Sequence, residues 1–195
     1  MITNPSKQLV SDEMPLDDFM RLSNDQPFEL IAGERIEKMP NGFLHGEILH
    51  IIFRLLDAFV SQHALGRVYM EMTFIYAPRS NWVRGSRIPD IMFYEKTRFE
   101  TYKQTITDKN LPLAIVPNLI IEILSPTDNL LDVQDRIMFD FDNGVKQIWL
   151  IDPDRRGALV YLPDANRPTR YGEDGVLSAP AILPNFELHL TTVWA

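Results

Sequence analysis

The sequence predicts an α/β fold in which a mixed β-sheet is flanked by helices and extended by β-hairpins. Three stretches carry that expectation. Pro117 to Pro153 reads strand, turn, helix, strand, and a helical crossover normally joins parallel neighbours with a right-handed turn. His45 to Gln62 carries Ile48, Leu49, Ile52, Leu55, Leu56 and Phe59 at spacings of three and four, the pattern of an amphipathic helix with one face to bury. Pro27 to Met39 holds two extended runs about Ala32-Gly33, a hairpin signal because glycine tolerates a positive φ in the turn.

Taken in order, Pro15 to Leu22 predicts a short helix, with Leu16, Phe19 and Met20 at helical spacing after Asp12 and Glu13. The hairpin of Pro27–Met39 opens the sheet and the His45–Gln62 helix follows. Arg67 to Ala77 is rich in aromatic and β-branched residues between Gly66 and Pro78, so it predicts one strand. A polar connection containing Arg79, Trp82, Arg84 and Arg87 leads into a second strand, Ile88 to Tyr94, where Pro89 indicates an edge or strand-start position. Thr97 to Asn110 is charged and lacks a clear period, which suits a surface excursion with a short helix. Beyond the strand at Asn118–Leu124, the next helix is expected to start near Thr127 or Asp128 and to stop at Gly144. Its apolar stripe reads Leu130, Val133, Ile137, Phe141, while Asp132, Arg136 and Asp140 share another face. From Val145 the chain is rich in strands, with a turn at Tyr171 to Gly175 and a closing run P-N-F-E-L-H-L.

Composition narrows the chemistry. With 195 residues, 45% of them hydrophobic, the chain can build a substantial core. Its longest apolar runs fall short of the roughly 20 residues of a membrane helix, and no apolar signal region opens the N-terminus, so a cytoplasmic protein is expected. Cysteine is absent, which leaves oxygen and histidine ligands as the available metal chemistry. A formal charge of −8 confines any nucleic-acid contact to a local basic patch. Nucleophile-elbow, Walker and H-E-x-x-H motifs are missing, and His50, His63 and His189 show no ligand spacing.

Two acidic residues stand out against this background. In an extended Asn118–Leu124, Glu122 lies on one face between Ile120 and Leu124, flanked by hydrocarbon. Asp90 repeats the situation, alternating with Ile88, Met92 and Tyr94. Burying a carboxylate is costly, so such a group is neutralised, paired with a cation or bound to a metal. By residue type alone, Asp132, Arg136 and Asp140 are a solvated helix face with ion pairs four residues apart.

The runs F-E-L-I-A-G-E, H-G-E-I, R-I-P-D-I, P-N-L-I-I-E-I-L-S-P-T-D, F-D-N-G-V, I-W-L-I-D-P and L-P-N-F-E-L, in this order and spacing, resemble the bacterial family of putative restriction endonucleases, formerly a domain of unknown function, within the PD-(D/E)xK nuclease superfamily. The resemblance covers about Pro27 to Leu190. It implies a restriction-endonuclease-like domain over residues 27–195, preceded by an N-terminal helical extension over residues 1–26. It also implies a Mg²⁺- or Mn²⁺-dependent DNA endonuclease, with Asp90 and Glu122 as metal ligands and the carbonyl of Ile123 as a backbone ligand. The superfamily lysine two residues after the Glu is replaced here by Leu124. The family places its lysine on the following helix, at the position of Arg136, so Arg136 becomes the third catalytic residue by the same resemblance. Asp140 stands where relatives commonly carry an aromatic residue and could pair with Arg136. His45 recurs in the resemblance, although at a helix start a local hydrogen bond accounts for it.

DNA is the expected partner, met by the cluster Arg79, Trp82, Arg84 and Arg87, which combines guanidiniums with a stacking surface, although in an acidic chain residue type alone favours an ordinary hairpin tip there. Cutting two strands favours two sites, hence a homodimer. The alternative is a catalytically impaired relative that keeps the fold for nucleic-acid binding or protein assembly, because arginine does not readily lose a proton and its planar fork is not a point charge.

Overall fold

A computed structural model describes residues 8–9, 13–76 and 81–194. Their elements run β1 (Gln8–Leu9), β2 (Met14–Pro15), α1 (Leu16–Asp25), β3 (Phe28–Ile31), β4 (Glu34–Glu37), α2 (Phe43–Gln62), β5 (Gly66–Met70), β6 (Phe74–Tyr76), β7 (Trp82–Val83), β8 (Gly85–Arg87), β9 (Ile91–Glu95) and α3 (Lys96–Lys103). The second half adds β10 (Leu119–Ile123), α4 (Leu130–Asp142), β11 (Gln147–Asp152), β12 (Gly157–Tyr161), β13 (Thr169–Tyr171), β14 (Val176–Ala179), β15 (Leu183–His189) and a closing 3₁₀ turn, Leu190–Thr192. Among the described residues no helix is long and apolar enough to cross a membrane.

The chain divides into two units. The first draws on Met1–Pro40, Met72–Ile88 and Asp108–Val116. It contains a sheet in the order β1-β4-β3-β8-β6. The β3–β4 hairpin turns at Ala32 and Gly33, with φ of 49° and 79°. Two positive φ values in a two-residue loop match the twist of the flanking strands. Phe19 from α1 packs with Phe28, Leu30, Ile75 and Val83 in the core of this unit. Among its described residues the buried charges are a pair: Arg87 (1% exposed) donates to Glu29 (2% exposed), and Glu29 also accepts the Ile88 N–H at 2.8 Å.

The second unit spans Asn41–Glu71, Pro89–Thr107 and Pro117–Ala195. Its sheet runs β13-β12-β11-β10-β9-β5. The β10–β11 pair is parallel, as the strand–helix–strand pattern predicts, with Glu122 beside Leu150. The pairs β10–β9, β9–β5, β11–β12 and β12–β13 are antiparallel. One core joins Ile91, Phe93, Leu119, Ile121, Ile123 and Trp149 of the sheet to Ile48, Leu49, Ile52 and Leu56 of α2 and to Leu183, Phe186 and Leu188 of β15. Of the expected α2 stripe Ile48, Leu49, Ile52 and Leu56 are buried and Leu55 and Phe59 half-buried against the core, which Val60 also joins. Gly66 starts β5 against the Tyr94 carbonyl, where an added Cβ would sit 1.9 Å from that oxygen.

Several expectations are corrected. Arg67–Ala77 is not one strand: β5 ends at Met70, Glu71 takes φ 48°, and β6 belongs to the other sheet. The end of that predicted run, at Ala77, lies outside the described residues. The regular strand after the polar connection begins at Ile91, with Arg87 on the separate strand β8. Leu130 does not join the α4 stripe but is 75% exposed, while Val133, Ile137 and Asp140 are buried. The cap of α4 is Asn129, whose side chain accepts the Leu131 N–H at 2.9 Å. Strands β13 and β14 flank the turn expected at Tyr171 to Gly175 and pair with β12 and β15.

Candidate active site

At one end of the second unit's sheet, β5 ends and β9 begins in step, while β10 runs on to Ile123. Met70 of β5 and Ile121 of β10 both pair with Ile91, the first residue of β9. Pro89 lacks an N–H and Asp90 precedes the regular strand, so the ladder has no standard continuation there. Backbone groups close it in another way: the Glu71 N–H donates to the carbonyls of Pro89 and Asp90, at 3.2 and 3.1 Å. The Asn41 side chain, from the turn before α2, donates to the Glu71 carboxylate at 2.8 Å.

Asp90 is 1% exposed. Its Oδ2 accepts the Ile123 N–H at 2.7 Å. The neighbouring Leu124 N–H bonds to the Ile151 carbonyl of β11, so alternation along the strand turns the Ile123 N–H towards β9. The Asp90 side chain thus takes a donor that β9, not yet begun, leaves to it. The other oxygen, Oδ1, lies 3.2 Å from Nε2 of His45, in the first turn of α2. Glu122 is half-buried on β10. The antiparallel register pairs Ile120 with Met92 and Ile121 with Ile91. The paired register stops there, with Glu122 and Asp90 the next residue on each segment.

Arg136 lies on the crossover helix α4, with its side chain 24% exposed and a guanidinium nitrogen 3.9 Å from Asp128 Oδ1. Asp128 is itself held in the turn before α4, where its other oxygen accepts the Ser125 N–H at 2.7 Å. Asp140, one turn beyond Arg136, is buried. The structure therefore brings Asp90, Ile123 and His45 into direct contact, and Glu122 is the residue before Ile123 on β10.

The expected DNA cluster divides. Arg79 lies outside the described residues. Trp82 is half-buried on β7 and Arg84 is exposed. Arg87 is corrected: its guanidinium is enclosed in the first unit on Glu29, so it offers no charge to a phosphate. His45 is the residue whose part the sequence understates, since its contact with Asp90 spans 45 positions. The signal was its place three, four and seven residues before Ile48, Leu49 and Ile52, which continues the buried stripe of α2 to the sheet end.

Whether these groups suit a divalent cation follows from their chemistry. No set of three or more His, Cys, Asp or Glu that could hold a metal ion occurs among the described residues. Mg²⁺ keeps several waters and is commonly held through one or two carboxylates together with substrate phosphate. A carboxylate offers about four acceptor sites, so Asp90 retains capacity beyond its contacts with Ile123 and His45. By type, two carboxylates and a backbone carbonyl suit a hard, hydrated cation.

Among curated proteins, none matches this sequence. A crystal structure of a putative nuclease belonging to DUF820 from Anabaena variabilis ATCC 29413 is similar over 93% of this chain and 97% of that one, with a TM-score of 0.73 and 25% identity. The model of the Uma2 family, described as "Putative restriction endonuclease", matches residues 16–191, and the chain belongs to that family.

Proposed function

We propose that this chain is a Mg²⁺-dependent DNA endonuclease of the PD-(D/E)xK type, hydrolysing phosphodiester bonds as a homodimer in the cytoplasm. The observation that carries the reading is the buried Asp90 carboxylate tied to the Ile123 N–H, the residue that follows Glu122 on β10. Asp90, Glu122 and the Ile123 carbonyl would hold the ion. When bound, Mg²⁺ or Mn²⁺ supplies charge neutralisation at the phosphate and makes water nucleophilic at neutral pH. Arg136 supplies a fixed positive charge for the phosphate oxygens. Membership of a family described as restriction endonucleases supports DNA as substrate, and Arg84, Trp82 and Arg79 are the contacts assigned to it.

The test pairs calorimetry with Mn²⁺ and cleavage of supercoiled plasmid in Mg²⁺ or Mn²⁺. The full chain binds Mn²⁺ and nicks or linearises plasmid, and Asp90→Ala and Glu122→Ala each abolish both. Cleavage that persists in both variants defeats the assignment of these residues. A second reading, a catalytically impaired nuclease fold acting in nucleic-acid binding or protein assembly, is favoured by one observation: Arg136 stands where the family's lysine is expected. DNA binding without cleavage, unchanged in Asp90→Ala, selects it.

A further inference from the structure

We infer that His45 is a positioning residue that fixes the Asp90 carboxylate for metal binding, an inference that rests on the reading of Asp90 and Glu122 as metal ligands. An aspartate turns about two side-chain torsions, so a contact to one oxygen leaves the carboxylate free to swing about it. Here the two oxygens meet different elements: Oδ2 accepts a hydrogen bond from the Ile123 N–H of β10 at 2.7 Å, while Oδ1 lies against Nε2 of His45 at 3.2 Å in a close contact whose geometry is not that of a hydrogen bond. The hydrogen bond holds one oxygen, and the imidazole packed against the other limits the swing of the carboxylate about it. His45 is well placed for this, because its side chain is 11% exposed and extends the α2 stripe of Ile48, Leu49 and Ile52. A 20-residue helix anchored along the sheet gives the imidazole a rigid mount. Groups that orient a metal ligand typically change metal affinity by about 10–100-fold when removed.

Two readouts test the role in the full-length protein. Mn²⁺ binding is followed by the electron paramagnetic resonance signal of the free ion, and the Ile123 amide is followed by ¹H–¹⁵N NMR without metal. His45→Ala weakens Mn²⁺ binding by about 10–100-fold and shifts the Ile123 amide proton upfield as its bond to Asp90 loosens. His45→Asn, polar but too short to reach Oδ1, behaves in the same way. His45→Gln, whose terminal amide can take the place of Nε2, restores most of both signals. Should His45→Ala not fold, the Asn and Gln variants decide: equal affinity and equal Ile123 shifts in the two overturn the inference. Unchanged or tighter Mn²⁺ binding in His45→Ala overturns it as well. A wild-type chain that binds no Mn²⁺, or binding that survives Glu122→Ala, instead defeats the metal reading and the positioning role with it.

Discussion

Replacing Arg87 by methionine removes a guanidinium while keeping much of the side-chain volume, and its consequence can be worked from the geometry. Arg87 on β8 and Glu29 on β3 stand next to the paired residues Ser86 and Leu30, one register step away, and both are almost wholly enclosed. In Arg87→Met the Glu29 carboxylate keeps the Ile88 N–H at 2.8 Å but loses its cation. Breaking one side of a buried pair costs about 3–5 kcal/mol, a third or more of the total stability of many domains. For a chain of this size that lowers the melting temperature by roughly 6–20 °C. Urea and thermal unfolding followed by circular dichroism measure it. The companion Glu29→Gln/Arg87→Met removes both charges yet retains an acceptor for the Ile88 amide, and its loss is smaller than the sum of the singles by about 0.5–3 kcal/mol. A cost below about 1 kcal/mol for Arg87→Met, the range of exposed pairs, refutes the argument. So does a flattened salt dependence of DNA binding in that variant, since it would put Arg87 on a phosphate.

The other predictions concern a titration, a helix face and the cationic position. Burial raises the Tyr94 hydroxyl well above its usual pKa of 10.0. The unfolded chain therefore loses this proton first, and the contribution is intact below about pH 10 and declines above it by up to about 1.4 kcal/mol per pH unit. Tyr94→Phe, which gives up the O–H contact to the Met92 sulfur at 3.6 Å, is expected to show a shallower alkaline fall in urea midpoint between about pH 8 and 11; an unchanged fall contradicts it. On α4, Ile137→Ala costs about 2–5 kcal/mol while exposed Leu130→Lys changes stability by no more than about 0.5 kcal/mol, and denaturant titration showing the reverse order would restore Leu130 to the core. Arg136→Lys raises plasmid cleavage if the nuclease reading holds and the arginine limits turnover, with Mn²⁺ affinity within about twofold of wild type because the metal ligands are untouched.

Local patterns were legible wherever one periodicity ruled a whole element. The α2 stripe and the β3–β4 hairpin turn follow from spacings within a few residues, and the parallel β10–β11 pair from the strand–helix–strand order. The pattern failed where the chain changes sheets without changing composition. Arg67 to Tyr76 is uniformly strand-like, but Glu71 adopts φ 48° between β5 and β6. A left-handed glutamate carries no sequence flag of the kind that glycine provides. Leu130 failed for a related reason, because periodicity fixes which residues share a face and not how far along the helix the covering layer extends.

The site divides along the same line. Asp90 and Glu122 were visible as carboxylates among hydrocarbon, since residue type and alternation suffice to mark a buried charge. What each charge meets depends on contacts distant in sequence, and there the same reasoning gave opposite outcomes for two residues. Arg87 reads as a phosphate-seeking cation beside Arg84 and Trp82, yet Glu29, 58 positions earlier, encloses it. His45 reads as a helix-start residue with a local bond, yet its imidazole faces Asp90. In both cases a neighbour's identity decides the role, and the deciding clue was one of face: Arg87 stands one register step from the Leu30–Ser86 pair and His45 continues a buried stripe. A charged or polar residue on a face that its own element buries should therefore be read as answering an interior partner before it is assigned to solvent or ligand. By that rule Asp140, buried beside Val133 and Ile137 on α4, belongs to the interior of the second unit. Asp140→Leu is then expected to alter stability in denaturant melts by more than the roughly 0.5 kcal/mol typical of surface positions, and a change within that range would show the rule too broad.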